Sequence, residues 1–139
     1  MNFLFRTYLF IVFISVSCTN QSSINNTLLI PWTGPFNGVP AFDKVKFSDV
    51  KNGMLDAMQK NLIEIEAIAS NQTPPTFKNT IEAMERSGKV LDRALVYYGI
   101  FSSNMSSLEF REIQTELAPL FSDFRSKITQ NELLFKRIK

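Results

Sequence analysis

Few residues in this chain could carry out chemistry, and their types are restrictive. No histidine occurs among the 139 residues, and the one cysteine is Cys18. Neutral imidazole is the commonest protein ligand of a catalytic zinc, and an H-E-x-x-H site needs two of them. That site cannot be assembled from this chain. The carboxylate pairs Glu64 with Glu66 and Glu82 with Glu85 are the candidates for acid–base work. Both pairs fall on the polar faces of helical segments, and they are read as solvated surface. Cys18 is a candidate for acylation. Trp32, Phe36 and Phe42 are large aromatics in a segment too rich in proline and glycine to be regular, and they are candidates for packing or for holding a ligand.

The setting of Cys18 decides its chemistry. Arg6 is the only charge ahead of the apolar run 8–14, which is followed by Ser15-Val16-Ser17-Cys18. A charged start, an apolar stretch and a small-residue site make a secretory signal. The run is too short to cross a bilayer, which takes about 20 apolar residues. Small residues directly before a cysteine resemble the bacterial lipoprotein box, in which the cysteine is lipidated and becomes the first mature residue. Ser15 departs from the leucine usual in that box, and a plain secretory signal cleaved nearby is the alternative. Residues 1–18 are therefore assigned to the signal, 19–27 to a polar flexible tether, and 28–139 to a single domain. The protein is expected to be exported, either membrane-anchored through lipid on Cys18 or periplasmic.

Fifteen Lys and Arg face thirteen Asp and Glu, and losing Arg6 with the signal lowers the net charge of +2 by one. No run of like charges occurs, so nothing here calls for nucleic acid as a partner. With a single cysteine there is no disulfide to form within the chain, and packing must supply the stability.

The periodicity that positions these residues is helical. Pro31, Pro35, Pro40, Gly34 and Gly38 make 28–45 an extended arm. Its rings Trp32, Phe36 and Phe42 are expected to lie on the helices, with a carbohydrate or peptide site as the alternative use. Ser48 is expected to cap a first helix whose stripe is Val50, Met54, Met58, Leu62, Ile65 and Ala69. Thr76 starts a short second helix with Phe77, Ile81 and Met84 on one side. The third carries Leu91, Leu95, Tyr98 and Phe101 on one face, with Val90, Ala94 and Tyr97 beside them. Ser106 to Glu109 reads as a capping box for the fourth, whose stripe is Ile113, Leu117, Leu120, Phe121, Phe124 and Ile128. Pro119 inside that stripe predicts a kink within one helix. Asn131 opens a further helical turn, interrupted at the end of the chain. Met54, Met58 and Met84 fall at helical spacing beside Leu and Ile and are read as core. No strand-like alternation is present, so the predicted class is all-α: an extended aromatic arm followed by a bundle of about four helices.

Several phrases together resemble one family. They are Asn26-Thr-Leu-Leu, Trp32-Thr-Gly-Pro-Phe, Pro40-Ala-Phe-Asp-Lys-Val-Lys, Ile63-Glu-Ile-Glu-Ala-Ile-Ala, Pro75-Thr-Phe-Lys-Asn-Thr-Ile-Glu-Ala-Met-Glu-Arg-Ser-Gly, Glu116-Leu-Ala-Pro and Leu134-Phe-Lys-Arg-Ile. Residues 26–139 are similar to the N-terminal region of bacterial peptidyl-dipeptidases, the Dcp type of the thimet-oligopeptidase-like zinc metallopeptidases. The resemblance implies a helical part whose catalytic half lies downstream. There an H-E-x-x-H helix and a later glutamate hold zinc, and a deep channel admits only short peptides. No catalytic or metal-binding residue carries over onto this chain, because no position matches one. The expectation is a truncated, non-catalytic part of such an enzyme that binds no zinc itself and packs against the missing catalytic half. The alternative is a free-standing helical lipoprotein that binds a peptide or partner protein. An enzyme part should expose a large apolar face, whereas a dedicated binder should bury its last helix.

Overall fold

The computed structural model describes residues 26–35 and 38–139. Cys18 and Phe36 lie outside the described residues. Five α-helices make up the body: α1 Phe47–Ala69, α2 Ala83–Arg86, α3 Lys89–Asn104, α4 Leu108–Thr129 and α5 Glu132–Ile138. A π-helical stretch, Lys78–Glu82, leads directly into α2. Among the described residues the only extended pairing is an isolated bridge between Thr33 and Val39, so the class is all-α with an extended arm.

α1 is the spine, packing on α3, α4 and α5. Its stripe is the one the periodicity predicts: Val50, Met54, Met58, Ile65 and Ala69 are buried, with Leu62 half-buried. The main core joins Val50, Met54, Ala57 and Met58 to Leu91, Ala94, Tyr97 and Phe101 of α3 and to Phe110 and Leu117 of α4. A smaller cluster sits at the other end of α1. There Ile65 and Ala69 meet Leu134 of α5, with Ile68, Met84 and Ile128 packed around them. All three methionines of the stripes thus serve as packing.

The arm closes over the main core through the rings of Trp32 and Phe42, which meet Tyr97 and Phe101 edge-on, and Phe47 of α1 continues the run. Trp32 and Phe42 both lie against Tyr97, Phe42 and Phe47 against Phe101, and Phe47 against Phe110, with centroids between 5.1 and 6.3 Å apart. Edge-to-face pairs of this kind add about 0.5–1.5 kcal/mol each beyond the area they bury. One polar contact fixes the register, since the Ala41 amide donates to the Tyr97 hydroxyl at 2.8 Å. Gly38, at φ +93°, is held where a Cβ would lie 2.5 Å from the Trp32 carbonyl carbon, so only glycine fits the close return of the chain.

Helix starts differ from the sequence reading in two places. α1 begins at Phe47 after an extended Lys46, so Ser48 lies inside the helix and does not cap it. Packing of Phe47 on Phe101 and Phe110 outweighs the local cap. α4 is capped by Ser107, whose Oγ accepts from the Phe110 amide at 3.1 Å, and not by Ser106. That shift of one residue places Phe110 fully inside the core. Thr76 does act as a start signal, because Thr76 and Asn79 exchange side-chain and backbone bonds at 2.8 and 3.1 Å. Phe77, expected on the packed side, is 74% exposed. The buried seam of α3 is Leu91, Ala94, Tyr97 and Phe101, so Leu95 turns outward. α4 runs through Pro119 as one helix.

The fold also begins earlier than the expected domain start. Asn26, assigned above to the tether, is buried; its amide donates to the Asp49 carbonyl at 2.8 Å and its Oδ1 accepts from the Leu28 amide at 3.0 Å. Thr27 then opens the 3-10 turn Thr27–Leu29.

Candidate docking surface

Three of the four carboxylates singled out in the sequence make contacts that hold the fold. Glu64 accepts from the Gly88 amide at 2.6 Å, which places a negative charge at the start of α3 where the exposed amides favour it. Glu66 accepts from Asn131 at 3.2 Å, tying α1 to the head of α5. Glu82 pairs with Arg86 one turn along, and Glu85 is exposed. Neither pair shares a cavity or a hydrogen-bonding partner.

The donor chemistry of the chain does not fit a catalytic zinc. Histidine is absent from the sequence, and among the described residues no three acidic, cysteine or histidine side chains come together as a metal site. Likewise, no described helix is long and apolar enough to cross a membrane.

Apolar surface is what the fold does assemble. α3 carries no charge after Arg93, and the next charged residue in the chain is Glu109 on α4. From Ala94 to Phe101 the helix is apolar on every side: Ala94, Tyr97 and Phe101 face the core, while Leu95, Val96 and Ile100 are 39–40% exposed. At 100° per residue, Leu95, Gly99, Val96 and Ile100 occupy one strip on the side opposite the core. Met105 and Leu108, at the α3–α4 turn, extend the exposed apolar surface. Beside the strip runs a groove of about 490 Å³ between α3 and α4, floored by Leu95, Tyr98 and Phe121 and edged by Ser122 and Arg125.

The far end is arranged differently. Asn131 caps α5 through the Leu134 amide at 2.9 Å. Buried Arg137 donates to the carbonyls of Asn71 and Thr73 at 2.5 and 3.1 Å, and to Asn79 Oδ1 at 3.0 Å. Asn79 also donates to the Pro74 carbonyl at 2.9 Å, so the loop leaving α1, the π-helical stretch and α5 form one polar clasp. Leu134 is buried while Leu133, Phe135 and Ile138 remain exposed. α5 is thus docked on one side and apolar on the other, combining the two features expected to separate an enzyme part from a dedicated binder. Arg137, Val96, Gly99 and Ile100 were not singled out in the sequence, and Leu95 was expected on the packed face of α3. The missing signal for the strip was composition, since a helix without charge on any face is a buried helix.

No family model matches this chain. It is similar to the dipeptidyl carboxypeptidase of Escherichia coli (strain K12), 28% identical over 113 residues, covering 81% of this chain and 16% of that protein. The dipeptidyl carboxypeptidase of Salmonella typhimurium is 25% identical over 99 residues, covering 71% of this chain and 15% of that protein. The chain thus spans about a sixth of the length of these curated relatives. The resemblance to bacterial peptidyl-dipeptidases read from its phrases is borne out: the region is related in sequence to peptidases.

Proposed function

We propose that this chain is the non-catalytic helical part of an exported, zinc-dependent peptidyl-dipeptidase, an enzyme that releases dipeptides from short peptides. The observation that carries the reading is the 113-residue match, which takes in most of this chain and about a sixth of a dipeptidyl carboxypeptidase. In this reading the bundle supplies channel wall and packing surface. The zinc ligands, and the glutamate that activates water, belong to the catalytic half. Lipid on Cys18 would tether the assembly to a membrane; cleavage nearby would leave it in the periplasm.

One observation favours a second reading, a free-standing lipoprotein that binds a peptide or partner protein. α5 is capped by Asn131 and clasped by Arg137 rather than left loose. Equilibrium dialysis with zinc and a quenched-peptide assay test the first reading. The chain alone is expected to hold no stoichiometric zinc and to turn over no peptide, with dipeptide release appearing only alongside a polypeptide that carries H-E-x-x-H. Tight one-to-one zinc and turnover that survive repurification of the chain alone would overturn it.

A further inference from the structure

Two glycines lie inside the helices of this bundle, and only one has a reason within the chain. At Gly53 in α1 a Cβ would stand 2.7 Å from the Asn26 amide, so a side chain is excluded by a buried neighbour. At Gly99 in α3 a Cβ would meet nothing within 4 Å. A glycine in an exposed helix interior costs about 1 kcal/mol relative to alanine, and nothing among the described residues crowds Gly99 in a way that calls for one. Gly99 sits in the middle of the strip formed by Leu95, Val96 and Ile100, on a stretch of α3 with no charge on any side. A helix stretch apolar all round belongs in a core, yet here Leu95, Val96 and Ile100 keep 39–40% of their surface exposed.

We propose that the Leu95–Val96–Gly99–Ile100 strip of α3 is a helix-docking surface. Its occupant is an apolar helix from the remaining part of the peptidase, seated across Gly99 at backbone contact. This rests on the function proposed above, and it names the face through which the two parts join. The shape of the face argues for a helix, because the gap at Gly99, one side chain deep and lying between Leu95 and Val96 around the helix, admits a helix backbone closely, as small residues do at tight helix crossings. The composition argues for an apolar stripe on the occupant, and the neighbouring groove adds one polar demand. Its lining holds one cation, Arg125, and no carboxylate, and Arg125 makes no ion pair among the described residues. A carboxylate at the edge of the occupant's stripe would complement it. The relatives are long enough to provide it, since about five-sixths of each lies outside the matched region.

A photo-crosslinking residue placed at Ile100 of the full chain, in the cells that make it, tests this directly. Lys60, exposed on α1, serves as the control position. The expected product, mapped by mass spectrometry, joins position 100 to a peptide of the part carrying H-E-x-x-H, whether in a second polypeptide or further along the same one, and position 60 gives none of it. Gly99→Leu should abolish that product, and Arg125→Glu should reduce it severalfold while Arg125→Lys preserves it. Both Gly99→Leu and Gly99→Ala should leave the melting temperature of the chain unchanged or raised, which separates lost docking from lost folding. Crosslinking only to a second copy of this chain, or product undiminished by Gly99→Leu, would overturn the docking surface. If H-E-x-x-H polypeptide and dipeptide release copurify with the chain but position 100 stays unlinked, the docking surface fails alone. If the linked polypeptide has no such motif, the proposed function fails with it.

Discussion

Replacing Gly53 by alanine should destabilise this protein, although the same change in an open helix is stabilising. The new Cβ would lie 2.7 Å from Asn26 Nδ2, 3.0 Å from its Oδ1 and 3.1 Å from its Cγ. Asn26 cannot simply swing away. Its amide is committed to the Asp49 carbonyl at 2.8 Å, and its carbonyl oxygen to the Leu28 amide at 3.0 Å. Breaking both bonds costs about 1–3 kcal/mol at roughly 0.5–1.5 kcal/mol each. Gly→Ala in a helix returns about 1 kcal/mol. The net expectation is a loss of about 0–2 kcal/mol, centred near 1, read as a lower urea midpoint at constant slope by circular dichroism at 222 nm. The double-mutant cycle is sharper than the single change. In an Asn26→Ala background the obstruction is gone, so Gly53→Ala should become stabilising by about 1 kcal/mol, and the sign of its effect should reverse. Gly99→Ala, with nothing within 4 Å of the added carbon, should stabilise in both backgrounds. A Gly53→Ala protein more stable than the parent with Asn26 in place would refute the steric account of the Asn26 notch.

Three further outcomes are expected. Tyr97→Phe removes the acceptor of the Ala41 amide and should cost about 0.5–1.5 kcal/mol. Emission from Trp32, the single tryptophan, should shift red as the arm loosens, and unshifted emission would deny that Tyr97 anchors it. Arg137→Met keeps the apolar stem but removes three donated bonds, and should cost several kcal/mol, each bond from a charged donor being worth roughly 1.5–3 kcal/mol. Amide exchange should then quicken in residues 71–80 and α5 before it does in the main core. Finally, Cys18→Ser should move the protein from the membrane fraction to the soluble one and end incorporation of labelled palmitate. Like fractionation of the two forms would count against a lipid on Cys18.

What could be read in advance was whatever repeats locally. Val50, Met54, Met58, Ile65 and Ala69 recur at helical steps, and one face of α1 follows from that alone. The same reasoning found α4 and the meeting of the arm's rings with the bundle, because large apolar side chains must go somewhere. Caps were harder. Ser48 and Ser106 have the right chemistry for a helix start, but Phe47 and Phe110 win burial by setting the first turn elsewhere. On α3 the difficulty was the opposite one, since the stretch after Arg93, apolar and without charge, offers no pattern by which to choose its inner face. Tyr97 and Ala94 point in while Leu95 points out, which only the partner helices decide. Buried polar residues were invisible for a related reason. Asn26 and Arg137 satisfy backbone groups 23, 64 and 66 residues away, and no local spacing encodes a partner at that distance.

The central claim, that this histidine-free bundle belongs with a zinc-bearing catalytic half, meets its most direct test in the messenger sequence beyond the codon for Lys139. The account predicts an in-frame continuation, or a shifted frame, that encodes H-E-x-x-H followed by a further glutamate. A downstream sequence with no such motif in any frame would contradict it and leave the free-standing binder as the reading to pursue.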